Sequence, residues 1–209
     1  MAKAVENIPV KTISQFKSQL LGGGARPNLF EVQIPEFPGA VADGVWGDLE
    51  QRHLTYLCKA SSLPAQNIAS VDIPFRGRIF KVAGDRTIDN WSVTIINDAK
   101  FNLRHAFEQW TEAIAKLDNN MGAVSPQEYM TDAYIYQLGR GATKEAATNS
   151  GDNSAILATY KFIDIWPITV GDIALSYDTG DTIEEFDVEF AVQSIQLDPD
   201  NGPVDSPLS

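Results

Sequence analysis

Apolar and polar residues alternate with a period of two along most of the chain, which is the pattern of half-buried strands. On this basis strands are expected over Asn28–Ile34, Leu54–Ser61, Ile68–Ile73, Arg78–Val82, Trp91–Ile96, Thr131–Leu138, Ile156–Trp166, Ile173–Tyr177 and Ile183–Ile195, with Pro64 and Pro74 as breaks. In the last of these, Phe186, Val188, Phe190 and Val192 fall on one face, and Glu185, Asp187, Glu189 and Gln193 on the other. A period of 3.6 is expected only between Lys100 and Leu117, where Leu103, Phe107, Trp110, Ile114 and Leu117 form a stripe and Asp98 is placed to cap the helix. The short connections imply antiparallel pairing. The expected fold is mainly β (α+β), an antiparallel β-sandwich or rolled sheet with one flanking α-helix.

Around this β domain, residues 28–196, the pattern weakens. Residues 1–27 are expected to form an N-terminal arm in which Thr12–Leu21 makes about two helical turns, too short to be stable without a surface beneath it. Residues 35–52 are rich in Pro, Gly and Asp and are expected to form a long inserted loop. Alone, arm and loop bury too little to offset their conformational entropy. Residues 139–154 have the composition of a flexible hairpin loop, and residues 197–209 that of a flexible acidic tail.

Charge narrows the function. The 209 residues contain 28 acids and 16 bases, a net charge of −12, and residues 162–209 hold 11 of the acids and no Lys or Arg. A module that grips nucleic acid through many phosphate contacts needs the opposite balance. One cysteine, Cys58, cannot form an internal disulfide or a four-cysteine zinc site, and it is expected to act as a small apolar filler in its strand. No apolar run approaches the roughly 18 residues of a membrane span, and the N-terminus lacks the apolar stretch of a secretory signal. A soluble protein made in the cytoplasm is expected.

Candidate chemistry is sparse. The two histidines, His53 and His105, lie outside any nucleophile motif, and His105 is expected on a helix face. Glu185, Asp187 and Glu189 lie about 6.6 Å apart along one strand face, near the separation of an inverting glycosidase pair. Nothing distinguishes one of the three as an acid held protonated, so a solvated acidic face is the simpler reading. Asp198, Asp200 and Asp205 lack the spacing and terminal glutamate of a calcium loop. Arg76, Arg78, Lys81 and Arg86 place four of the sixteen bases within eleven positions. They are open to three readings: a phosphate patch, a patch that meets the acidic strand of a neighbouring copy, or scattered surface cations.

Several segments together resemble the tail-tube (inner tube) proteins of contractile-tailed bacteriophages. They are Ala25–Phe30, Cys58-Lys59-Ala60 with Leu63-Pro64, Val82–Thr87 followed by Trp91 and by Asn97-Asp98, Phe107-x-x-Trp110, and Trp166-Pro167 with Gly171-Asp172-Ile173. The resemblance covers residues 25 to 195, and the Ala-Gly-Asp-Arg-Thr stretch before a tryptophan strand is its most specific element. It implies a structural virion protein with no catalytic residue, cofactor, metal or small-molecule substrate. Six copies would form a ring whose sheets join into one β-barrel, and rings would stack into a hollow tube. Partners would be other copies, the tail sheath, the baseplate and the tail-terminator protein, with the phage genome passing transiently down the bore. Assembly would take place in the host bacterial cytoplasm. Ring closure would pair exposed strand edges, and an acidic bore lined by Glu185, Asp187 and Glu189 would keep DNA from sticking. Two alternatives remain: a tube-initiating baseplate protein or injection-system inner tube of the same fold, and a carbohydrate-binding or glycoside-hydrolysing β-sandwich using Trp46, Tyr134 and Tyr136 as stacking platforms.

Overall fold

A computed structural model describes residues 12–19, 24–41, 45–119, 121–139, 156–178 and 180–198. In chain order these form α1 (Ile13–Gln19), β1 (Phe30–Gln33), α2 (Asp48–Leu57), β2 (Cys58–Ser61), β3 (Gln66–Phe75), β4 (Arg78–Ile88), β5 (Trp91–Ile96), α3 (Asn102–Ile114), α4 (Pro126–Tyr129), β6 (Thr131–Leu138), β7 (Ile156–Val170), β8 (Glu185–Ala191) and β9 (Ser194–Asp198). The expected loop over 139–154 lies almost wholly outside the described residues, as do residues 199–209 of the expected tail. The expected mainly β architecture is present.

Seven strands form one sheet in the order β1-β6-β7-β8-β5-β2, with β9 added on β7. The sheet has two halves because β7 belongs to both. Its first part pairs with β6 on one side and β9 on the other, whereas Trp166–Val170 pair with β8. The chain turns between the halves at Asp164, whose φ of 54° is left-handed. Its amide donates to Asp132 Oδ1 at 3.2 Å, and Asp132 also pairs with Lys161 at 2.7 Å, which with the attendant hydrogen bond raises the lysine's pKa.

The core fills the fold of this bent sheet. Trp91, Val93 and Ile95 of β5 stand directly opposite Phe190, Val188 and Phe186 of β8, and all six are buried. Helix α3 covers that face with Leu103, Phe107 and Trp110, all three fully buried; the Phe107 and Trp110 rings lie 5.8 and 6.0 Å from Phe190. Trp110 Nε1 donates to the Tyr129 carbonyl at 2.8 Å, so its one polar atom is satisfied inside the core.

Several expectations are corrected. Leu54–Ser61 is not one strand: α2 occupies the segment to Leu57 and only Cys58–Ser61 pairs in the sheet. Asp48 and Glu50 in the first turn favour a helix, and Glu50 Oε2 accepts from the Gly47 amide at 3.0 Å. The described part of the inserted loop packs within the subunit. Phe37 stacks on Trp46 at 3.9 Å and lies tilted against Trp110 at 4.6 Å, and the Ala40 amide donates to the Glu128 carbonyl. Trp46 is therefore no sugar platform, and Tyr136 is buried.

Pro74 does not break its strand; it is the penultimate residue of β3, and β4 extends to Ile88. The helix α3 is shorter than expected. Phe101, with φ of 59°, precedes its first turn, Asp98 accepts instead from the Lys100 amide at 3.3 Å, and Leu117 lies beyond the helix, 94% exposed. Ile173–Tyr177 pairs with no described strand, β7 runs through Pro167 to Val170, and Ile183–Ile195 divides into β8 and the start of β9. His105 lies on the exposed side of α3 as expected.

Two stability predictions follow from these placements. Trp110→Ala is expected to cost about 3–5 kcal/mol in urea unfolding, whereas Leu117→Ala stays within about 0.5 kcal/mol. Equal effects would contradict the placement of Leu117 beyond the stripe. Cys58 caps α2 and packs at the edge of the core, where burial pushes its thiol up to about 12 from 9.0. The unfolded chain then loses this proton first, so unfolding should become progressively easier as pH rises from about 9 towards 12. Cys58→Ala is expected to flatten that part of the stability profile.

Candidate assembly surfaces

The strands β2 and β5 do not end at the core. Hydrogen bonds from the Ser62 amide to the Ser92 carbonyl and from the Asp89 amide to the Ala65 carbonyl carry the pair onward into β3 and β4. The result is a two-stranded ribbon whose outer part, about 33 Å long at 3.3 Å per residue, forms a separate sheet that pairs with no other described strand. Every residue of β3 is exposed. A two-residue turn closes the tip, with Arg76 at φ 47° and Gly77 at φ 81°. Both central residues are left-handed, the requirement of a type I′ turn, and glycine meets it without strain.

Register sorts the hairpin into two unlike faces. Val71 faces Val82, Ile73 faces Phe80, and Phe75 faces Arg78, so five apolar side chains share one face, each 40–65% exposed. The opposite face carries Ser70, Asp72 and Lys81 with Pro74 and Ile79. A bulge between Ile68 and Ser70 interrupts the pairing opposite Gly84. A side chain at Gly84 would meet Val71 Cγ2 at 3.0 Å and the Ala69 carbonyl at 3.2 Å, so the strands approach closely there and any larger residue would push its neighbours aside. The most specific element of the sequence resemblance thus sits at this irregularity.

Arg76, Arg78, Lys81 and Arg86 all lie on this hairpin, and no salt bridge engages any of them among the described residues. Arg76 leans over the Phe75 ring, and Arg86 donates to Gln66. The expected acidic trio also sits together, on the face of β8 turned away from the core. Each carboxylate has a donor on the same face. Glu185 pairs with Lys59 at 2.7 Å, Asp187 accepts from Thr94 at 2.6 Å, and Glu189 accepts from Asn90 Nδ2 at 2.9 Å. Lysine neutralises only the first, leaving Asp187 and Glu189 as uncompensated charges.

A third surface escaped sequence reading. The connection from β7 to β8 is fixed at both ends. The Gly171 amide donates to the Asp187 carbonyl at 2.7 Å, and Arg104 Nη1 donates to the Gly171 carbonyl at 2.8 Å. Asn97 donates through its amide to the Glu184 carbonyl at 2.9 Å and through Nδ2 to Glu184 Oε2 at 3.1 Å. Between these anchors Leu175 is 79% exposed and Tyr177 fully exposed. Read as a strand in the sheet, this segment gave no sign of projecting. No cluster of three or more His, Cys, Asp or Glu able to hold a metal occurs among the described residues.

Comparison with known proteins places this subunit. Residues 25–195 match the family described as phage tail tube protein, and the chain belongs to that family. Over 171 residues it is 31% identical to the tail tube protein gp19 of Enterobacteria phage T4 and 30% identical to that of phage T6, covering 82% of this chain and 90% of each relative. The fold is also shared with a chain of the extended sheath-tube complex of the extracellular contractile injection system PVC. There the TM-score is 0.54 at 13% identity, covering 87% of this chain and 96% of that one. The protein is thus a structural tail tube protein and a virion component.

Because no described residue covers β3 and most of β4, their amides should open independently of the core. In the isolated subunit, hydrogen exchange at Val71 and Phe80 is expected to run at least about a hundredfold faster than at Val93 and Val188. Equal protection would mean that the ribbon is folded onto something in the free protein.

Proposed function

We propose that six copies join edge to edge into a ring, that their sheets close one β-barrel, and that rings stack into the hollow tube through which the phage genome passes when the sheath contracts. The observation that carries this reading is the ribbon of β3 and β4, a pair of strands with an uncovered apolar face and free backbone on its outer edges. Pairing with sister subunits satisfies both needs and removes an aggregation hazard. A barrel built from that many strands is too wide for side chains to fill and keeps a watery bore. Both curated relatives are tail tube proteins, which favours the tube over an initiating baseplate subunit. Sheath, baseplate and terminator are its further partners, and assembly takes place in the host cytoplasm.

The face of β8 bearing Glu185, Asp187 and Glu189 lines the bore in this reading. Lysines and arginines there would release counterions from DNA and hold it, whereas carboxylates repel phosphates. Repulsion reaches roughly 8–10 Å at physiological salt, enough to prevent sticking without opposing entry along the axis. Since Lys59 already neutralises Glu185, Asp187 and Glu189 supply most of the effect.

Electron microscopy of the purified full chain tests the assembly: hollow rings or tubes are expected, and a strict monomer at high concentration would refute it. Particles in which Glu185, Asp187 and Glu189 are all lysine should assemble yet eject DNA poorly. Glu185→Gln alone, by contrast, should eject nearly normally. Normal ejection by the triple variant would remove β8 from the bore.

A further inference from the structure

Two surfaces left exposed among the described residues are complementary in both polarity and charge. The first is the tip half of the ribbon, with the apolar face of Val71, Ile73, Phe75, Phe80 and Val82 and the cations Arg76 and Arg78. The hairpin as a whole carries four cations against two acids, Asp72 and Asp85. The second is the crest of the β7–β8 connection. There Leu175, Tyr177 and Ile183 are all at least 71% exposed, beside an open groove of about 440 Å³ lined by Ile173, Leu175, Thr182 and Ile183 among others. Residues 171–184 contain Asp172, Asp178, Asp181 and Glu184 and no cation, and no side-chain partner engages the carboxylates of Asp172, Asp178 or Asp181 among the described residues.

Topology keeps these surfaces apart within one subunit. The ribbon leaves the sheet at the end marked by Ser61, Trp91 and Phe190, while the β7–β8 connection leaves it at the other end, marked by Ile96, Val170 and Glu185. Six residues of β5 separate them. A second copy displaced along the strand direction brings the ribbon of one onto the crest of the next.

We propose that the apolar face and cationic tip of the β3–β4 ribbon dock on the crest of the β7–β8 connection in a second copy. Val71, Ile73 and Phe80 cover Leu175, Tyr177 and Ile183, and Arg76 and Arg78 face Asp178 and Asp181. The inference rests on the tube reading and adds to it the identity of the mating surfaces. The contact is heterologous, the two patches being different, and repeats end to end instead of closing on itself as a two-fold dimer would. Arg104 holds the connection at Gly171 and Asn97 holds it at Glu184, so its two ends are placed before docking.

Charge reversal in the full chain, read by electron microscopy, tests this. Arg76→Glu with Arg78→Glu should lower tube yield at least tenfold, as should Asp178→Lys with Asp181→Lys; all four together should restore it. Tubes that survive either reversal, or a fourfold variant that fails while the wild type assembles, overturn the docking and leave the tube itself standing. A wild type that forms no tubes sinks both. All four residues lie on projecting segments outside the core, and circular dichroism confirms that each variant is folded. A second test mixes Arg78→Cys and Asp181→Cys preparations, each also carrying Cys58→Ala, and treats the assembled tubes with a bis-maleimide. Covalent dimers containing one chain of each kind are expected; tubes without such dimers refute the contact. Should the hairpin reversal leave tubes intact but release bound DNA, the cations serve the nucleic acid and the proposal is wrong.

Discussion

A two-stranded ribbon cannot bury either of its faces, and everything distinctive about this subunit follows from its having one. The apolar side chains of the chain are divided between two destinations. Trp91, Phe107, Trp110 and Phe190 close a core that needs no partner, whereas Val71, Ile73, Phe75, Phe80 and Val82 wait outside it. Covering the remaining exposed half of those five side chains is worth about 4–8 kcal/mol, taking about 1.5–3 kcal/mol for each full burial. Association costs an estimated 4–15 kcal/mol. One such contact is therefore marginal, and only a subunit that makes several at once, around and along an assembly, is held firmly. That arithmetic keeps free subunits from pairing off singly while allowing a many-membered array to be stable.

The sheet half made by β2, β5 and β8 shows the same division across its thickness. Phe186, Val188 and Phe190 pack against α3, and the residues alternating with them carry carboxylates into water. The side-chain donors on the wet face, Lys59, Thr94 and Asn90, hold the three carboxylates in place. A face ordered in this way presents fixed charge instead of a mobile fringe. Its charge is also lower than the sequence suggests, since one lysine from β2 removes a third of it.

Legibility from sequence depended on how local the controlling interaction is. The alternation in β8 and the stripe of α3 were readable because burial on one side imposes a period. The helix α2 was misread because Leu54, Leu57 and Cys58 also fit a strand, although Asp48 and Glu50 held the opposing signal in the first turn. Pro74 reads as a terminator. In an isolated ribbon its missing amide costs little, because no third strand asks for it. Ile173–Tyr177 has the alternation of a strand but lacks a partner strand, and pairing is a property of the whole sheet that no pentapeptide contains. The four hairpin cations were visible as a cluster, yet their tip position rests on Arg76-Gly77, a turn signal flanked by apolar alternation. The anchoring of Gly171 by Arg104 joins residues 67 positions apart and had no local trace.

The strand β7 belongs to both halves of the bent sheet, fifteen residues without interruption. Force applied to one half therefore reaches the other through covalent backbone, and the two cannot be peeled apart by shearing a seam of hydrogen bonds. In a tube of such subunits the weak direction lies between them, where broken contacts can re-form, and not within the polypeptide.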